Sequence, residues 1–149
     1  MIATKPNAVL FDLLTALIDS WTLWDRVAGS VHDGRRWRAA YLKLTYAQGE
    51  YVPYEVLVRE AAESVGLSPE LADRLVERYP ELTPWPDVEE VLGGLQGRIP
   101  LGVVTNCSET LGTLAVARTG HCVHYDGHRR TRRILQTASP TLPACSRRA

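Results

Sequence analysis

Ala8-Val9-Leu10-Phe11-Asp12 is a short apolar run that stops at a carboxylate, and a second run, Ile99 to Val104, stops at Thr105-Asn106. Apolar runs of this length, each ended by a polar residue, are the pattern of buried strands in a parallel sheet. In open α/β sheets ligands bind just beyond the carboxyl ends of the strands. Asp12, Thr105 and Asn106 are therefore expected to converge at one end of a small sheet. A carboxylate in that position is a candidate nucleophile.

Between the two runs the chain reads as helical. Ser20 is expected to cap a helix beginning at Trp21, with Trp21, Trp24, Val27 and Ala28 on one apolar face. The stretch 35–47 repeats the pattern through Trp37, Tyr41, Leu44 and Tyr46, and 54–65 through Val56, Leu57, Ala61 and Val65, with Gly66 placed to end it. Ser68-Pro69 opens a further helix through Leu71, Leu75 and Tyr79, because Ser caps and Pro fits the first helical position. Pro84-Trp85-Pro86 marks the return, and 87–95 is the helix that feeds the second strand. Beyond Asn106, Ser108 is expected to cap a helix to about Ala117. The free N–H groups of its first turn would form an anion site above Asp12.

The composition sets bounds on function. With 149 residues, 45% hydrophobic and 23% charged, the chain is long enough for one domain with a moderate core. Zero formal net charge argues against electrostatic capture of nucleic acid or of an anionic membrane. That average hides an asymmetry: residues 1–120 carry 11 Lys and Arg against 16 Asp and Glu, whereas 121–149 carry 6 Arg against Asp126 alone. Cys107, Cys122 and Cys145 form no paired spacing, which favours a reducing compartment. The first residues lack the charged-then-apolar pattern of a secretory signal, so a cytoplasmic location is expected.

The stretch Val9 to Leu17, the helical insertion, and Gly102-Val103-Val104-Thr105-Asn106 together resemble the haloacid dehalogenase superfamily, over roughly residues 8 to 117. The resemblance is to its 2-haloacid dehalogenase branch. It implies an α/β fold with an incomplete Rossmann-like core of parallel strands (1–16 and 86–120) and an inserted α-helical cap (17–85); the Arg-rich residues 121–149 lie outside the resemblance. It further implies that Asp12 attacks carbon and that Thr105 and Asn106 hold the carboxylate of a small anionic substrate. Arg38, on a cap helix, would face the departing halide. Phosphatases of the superfamily need a second aspartate two residues after the nucleophile, where this chain has Leu14; a halide leaves without a proton and can do without that acid. No resident cofactor is then expected, Mg belonging only to the phosphatase alternative, and a homodimer is left open.

Three departures accompany the resemblance. Thr15 and Ala16 stand where the family has Gly and Thr, which places the local loop geometry in question. The family's charge-neutralising lysine has no counterpart after Asn106, since the lysines here are Lys5 and Lys43. Finally, 121–149 lacks both helical and strand periodicity and is expected to be without a fixed fold. An overlapping frame across Arg133-Ile134-Leu135-Gln136-Thr137 can read Gly-Tyr-Tyr-Lys-Pro, similar to the absent lysine segment, so the tail reads as a shifted frame. Lacking that lysine, the chain as written is expected to have little or no hydrolytic activity; the alternatives to a dehalogenase are a non-catalytic fragment of such an enzyme and a phosphatase of the same superfamily.

Overall fold

The computed structural model describes residues 6–121 and the backbone of 124–125. Strand β1 is Val9–Asp12, β2 is Leu101–Val104 and β3 is His124–Tyr125, all parallel and in the order β1-β2-β3. The register places Val9 opposite Leu101 and Asp12 opposite Val104. The two apolar runs therefore end side by side, as their sequence predicts.

Two sequence expectations need correction here. The tail does not lack structure throughout: His124 and Tyr125 pair with Gly102 and Val103, giving β2 a second neighbour. So short a strand pairs through its backbone, which leaves no side-chain period to read. Its continuation from 126, with the shifted-frame segment, lies outside the described residues. The apolar runs also imply strands buried on both faces, yet Leu10 is 52% and Val104 49% exposed, while Leu101 and Val103 are buried. Among the described residues the sheet is covered on one face.

Helices α1 (Ser20–Ala28), α2 (Val31–Ala47), α3 (Tyr54–Ser64) and α4 (Glu70–Glu77) form the insertion between the strands; α5 (Val88–Leu95) and α6 (Glu109–Arg118) flank β2 in sequence. The cap of α1 is Asp19, not Ser20: its carboxylate accepts from Thr22 N at 3.1 Å. Gly29 ends α1 in the left-handed region (φ 84°), which only glycine adopts freely, and the turn lets Ser30 cap α2 by accepting from Asp33 N. That cap starts α2 at Val31, four residues before the expected start at Arg35. Gly66 follows the end of α3 with φ 75°, as expected, whereas Ser68 makes no cap and Pro69 stands at that position of α4.

An aromatic chain holds the insertion together. Trp37 packs on Trp24 (centroids 4.5 Å apart), Trp24 on Tyr41 (5.6 Å), Tyr41 on Tyr54 (5.2 Å) and Tyr54 on Tyr79 (6.0 Å). Its way in and way out are paired as well: Ile18 bridges Pro84, Asp19 N donates to Thr83 O, and Trp85 N donates to Leu17 O. Trp85 Nε1 reaches further, to Thr15 O at 2.9 Å, just after β1. The chain's exit from the insertion is thus fastened to the loop that carries Asp12.

Helices α1 and α2 touch closely at Gly34. A Cβ added there would meet the Asp25 carboxylate and lie 2.6 Å from Asp25 Cα, and the Asp25 Oδ1 atom beside it is buried without a hydrogen-bond partner. Gly34→Ala is expected to lower unfolding free energy by roughly 1–2 kcal/mol, the strain of overpacking exceeding the gain in helix propensity of about 1 kcal/mol. Denaturant unfolding checks this. A Gly34→Ala chain as stable as the parent would show that the two helices separate at no cost.

Candidate active site

Asp12 ends β1 with an extended backbone (φ −64°, ψ 136°), and the next residues, Leu13–Leu17, form one π-helical turn closed by Ile18 N to Leu13 O. Asp12 caps that turn. Its Oδ2 accepts from Thr15 N at 2.8 Å and from the Thr15 hydroxyl, leaving Oδ1 without a hydrogen bond among the described residues. Thr15, which raised the question about loop geometry, is thus the residue that orients the carboxylate. An Asp with a hydroxyl residue three positions on is an ordinary capping pattern, and this much could have been read from the sequence.

Thr105 and Asn106 directly follow Val104, the cross-strand partner of Asp12, so all three lie at the same end of the sheet. Asn106 is exposed and Thr105 half-buried. The Thr105 hydroxyl accepts from Cys107 N at 3.3 Å and lies 3.1 Å from Cys107 Sγ. Cys107 itself is buried. Ser108 stands at the N-cap of α6 as expected, but its side chain makes no capping bond; its hydroxyl donates instead to Glu55 Oε1 at 2.6 Å.

Arg38 is the unusual member. It is only 4% exposed, and among the described residues it makes no ion pair. Nη1 donates to Ser20 Oγ at 2.6 Å and Nη2 reaches Leu14 O at 3.5 Å; the Ser20 hydroxyl in turn donates to the same Leu14 carbonyl. The guanidinium stacks on Trp21 (4.0 Å to the ring centroid) and lies 5.7 Å from Trp24, while Nε is buried without a partner. Burial lowers the Arg38 pKa, opposed by the nearby tyrosines 54, 79 and 41 and by the Asp12 carboxylate. Arg35, one turn earlier, makes a second contact on Trp21 at 4.5 Å but remains exposed. A buried cation that lacks a carboxylate is costly unless an anion joins it. Leu14 matters here through its carbonyl, which ties Arg38 to the residue two places after Asp12. No sequence signal marks Ser20 or Leu14 for this role.

The neighbouring hydroxyls and thiol are neutral. Burial raises the Tyr41 pKa to about 12 and the Cys107 pKa to about 11, Cys107 being raised further by Glu55 and Asp12; Tyr54 and Tyr79 are also raised, chiefly by burial. The buried Tyr54 hydroxyl sits beside that of Tyr79 without forming an aligned hydrogen bond. In the unfolded chain these groups ionise at lower pH than in the folded one. Their contribution is complete below about pH 8.5, the ordinary thiol value, and is lost as pH rises toward 11 and 12. Unfolding free energy measured from pH 8 to 11 is expected to fall steadily; a flat profile would show that these groups are not buried in solution. Among the described residues no group of three or more His, Cys, Asp and Glu is placed to hold a metal, and no helix is long and apolar enough to cross a membrane.

Solved structures share this arrangement of elements. The L-2-haloacid dehalogenase from Xanthobacter autotrophicus, in a form with chloropropionic acid covalently bound, superposes with a TM-score of 0.66 at 25% identity, over 78% of this chain and 53% of that one. The fold is that of the haloacid dehalogenase superfamily. A defluorinating L-2-haloacid dehalogenase matches with a TM-score of 0.66 at 22% identity over 83% of this chain and 60% of its own. The L-2-haloacid dehalogenase PA0810 matches at 0.65 and 21% identity, over 81% and 61%. The chain thus spans between about half and three-fifths of the length of these structures. No protein-family model and no curated protein matches the sequence.

Proposed function

We propose that the chain carries the nucleophile-bearing part of a hydrolase of the haloacid dehalogenase type, built for a short 2-haloacid. The observation that carries this reading is Asp12, held by Thr15 at a strand end, within the electrostatic influence of a buried Arg38 that makes no ion pair among the described residues. The free oxygen of Asp12 attacks the carbon bearing the halogen. A carbon–oxygen bond forms, the carbon–halogen bond breaks, and its electron pair leaves with the halide toward the guanidinium. Thr105 and Asn106 hold the substrate carboxylate beside the start of α6. Water then attacks the ester carbonyl, releasing a 2-hydroxy acid and one proton and returning Asp12 as a carboxylate.

The residues 17–85 would act as the cap that closes over this step, with the aromatic chain excluding water. Leu14 favours carbon–halogen over phosphate-ester chemistry, because the alkoxide leaving a phosphate ester needs a proton donor there and a halide needs none. The likeness to a dehalogenase crystallised with chloropropionic acid covalently bound supports the same step. Exposure of the full chain to 2-chloropropionate, followed by mass spectrometry of its peptides, tests the reading. An ester on the peptide containing Asp12, or halide release, is expected; neither product under excess substrate would refute it.

A further inference from the structure

Glu55 lies on the first turn of α3, and its carboxylate accepts the hydrogen bond from Ser108 across 53 residues of sequence. It stands where the starts of α3 and α6 meet, two electropositive helix ends. Cys107, next to Ser108, has its pKa raised chiefly by burial and further by Glu55 and Asp12. Glu55 is half-buried and held at the N-cap of α6, the helix start beside which the proposed function places the substrate carboxylate.

Resting on the dehalogenase reading above, we propose that Glu55 is a specificity residue, a fixed negative charge at the start of α6 that admits a monoanion and rejects a dianion. A 2-haloacid brings one negative charge, whereas a phosphate monoester brings nearly two at neutral pH. Arg38 feels the Asp12 charge without pairing with it, so its field is already partly offset, and Glu55 opposes any further negative charge. At a few ångströms in a partly screened site, one extra unit of charge is worth about tenfold or more in binding.

The test uses the full chain and Glu55→Gln, with methanesulfonate and sulfate as tetrahedral probes carrying one and two charges, and propionate as a third. Gln preserves the acceptor for Ser108 and removes only the charge. The parent is expected to bind methanesulfonate at least about tenfold tighter than sulfate, and the variant to lose most of that preference by gaining sulfate affinity. Ser108→Ala, which leaves the charge, should keep it. Equal affinity of the parent for the two sulfur anions overturns the proposal whether or not the variant folds, as does a folded Glu55→Gln chain that gains no sulfate binding. Propionate decides the other question: failure to bind it, with the charge preference intact, refutes the haloacid reading and leaves the filter standing.

Discussion

Asp12→Asn should leave the fold intact and eliminate the ester, with loss of reaction on the order of a thousandfold or more. Asn is nearly as good a cap as Asp, so its side-chain oxygen can still accept from Thr15 N, and the turn at Leu13–Leu17 should persist. What disappears is the anionic oxygen that attacks carbon. Steady turnover by the parent is itself expected to be slow. Both nucleophile and substrate are anions, and the lysine that offsets their repulsion in the family has no counterpart after Asn106. Removal of one well-placed electrostatic group costs on the order of a hundredfold in rate. Mass spectrometry after a single turnover is therefore the proper assay. An equal adduct in both chains would place the nucleophile elsewhere; rapid multiple turnover by the parent would mean that another cation substitutes for the lysine.

Trp37→Ala should cost about 3–5 kcal/mol, much of the stability of a domain this size, and lower Tm by on the order of 10 °C. Trp37 is wholly buried, packs on Trp24 at 4.5 Å and donates from Nε1 to Val58 O at 2.8 Å, so one side chain joins α1, α2 and α3. Trp37→Phe separates the parts. It keeps most of the packing and loses the hydrogen bond, for an expected cost nearer about 1–2 kcal/mol. Thermal unfolding followed by near-ultraviolet circular dichroism reads both. A Trp37→Ala chain melting within a degree or two of the parent would mean that the aromatic chain does not hold the insertion together.

Helix positions were legible wherever apolar residues recur at three-to-four spacing, as in α1 and α3, and helix starts were less so. Ser20 has the chemistry of a cap but is drawn away by Leu14 and Arg38, leaving Asp19 to do the capping. Ser108 reaches the predicted position with its hydroxyl committed to Glu55 instead. In each case a hydroxyl has a local partner by sequence and a distant one in space, and the distant one prevails. β3 was invisible because a two-residue strand has no period and exists through its pairing with β2.

The sequence by itself determined that Asp12 and Thr105-Asn106 would meet. Parallel strands align their ends, and a strand stops where its apolar run stops, so two such runs locate the site without further information. Tertiary structure alone decided which charges face that site. Arg35, Arg36 and Arg38 are near neighbours on α2, yet only Arg38 is enclosed, by Ser20, Trp21 and Trp24 from α1 and the carbonyl of Leu14. Glu55 likewise reaches Ser108 only through the approach of α3 to the start of α6. Burial and charge pairing are set by atoms supplied from distant segments, and a single stretch of sequence contains no record of them.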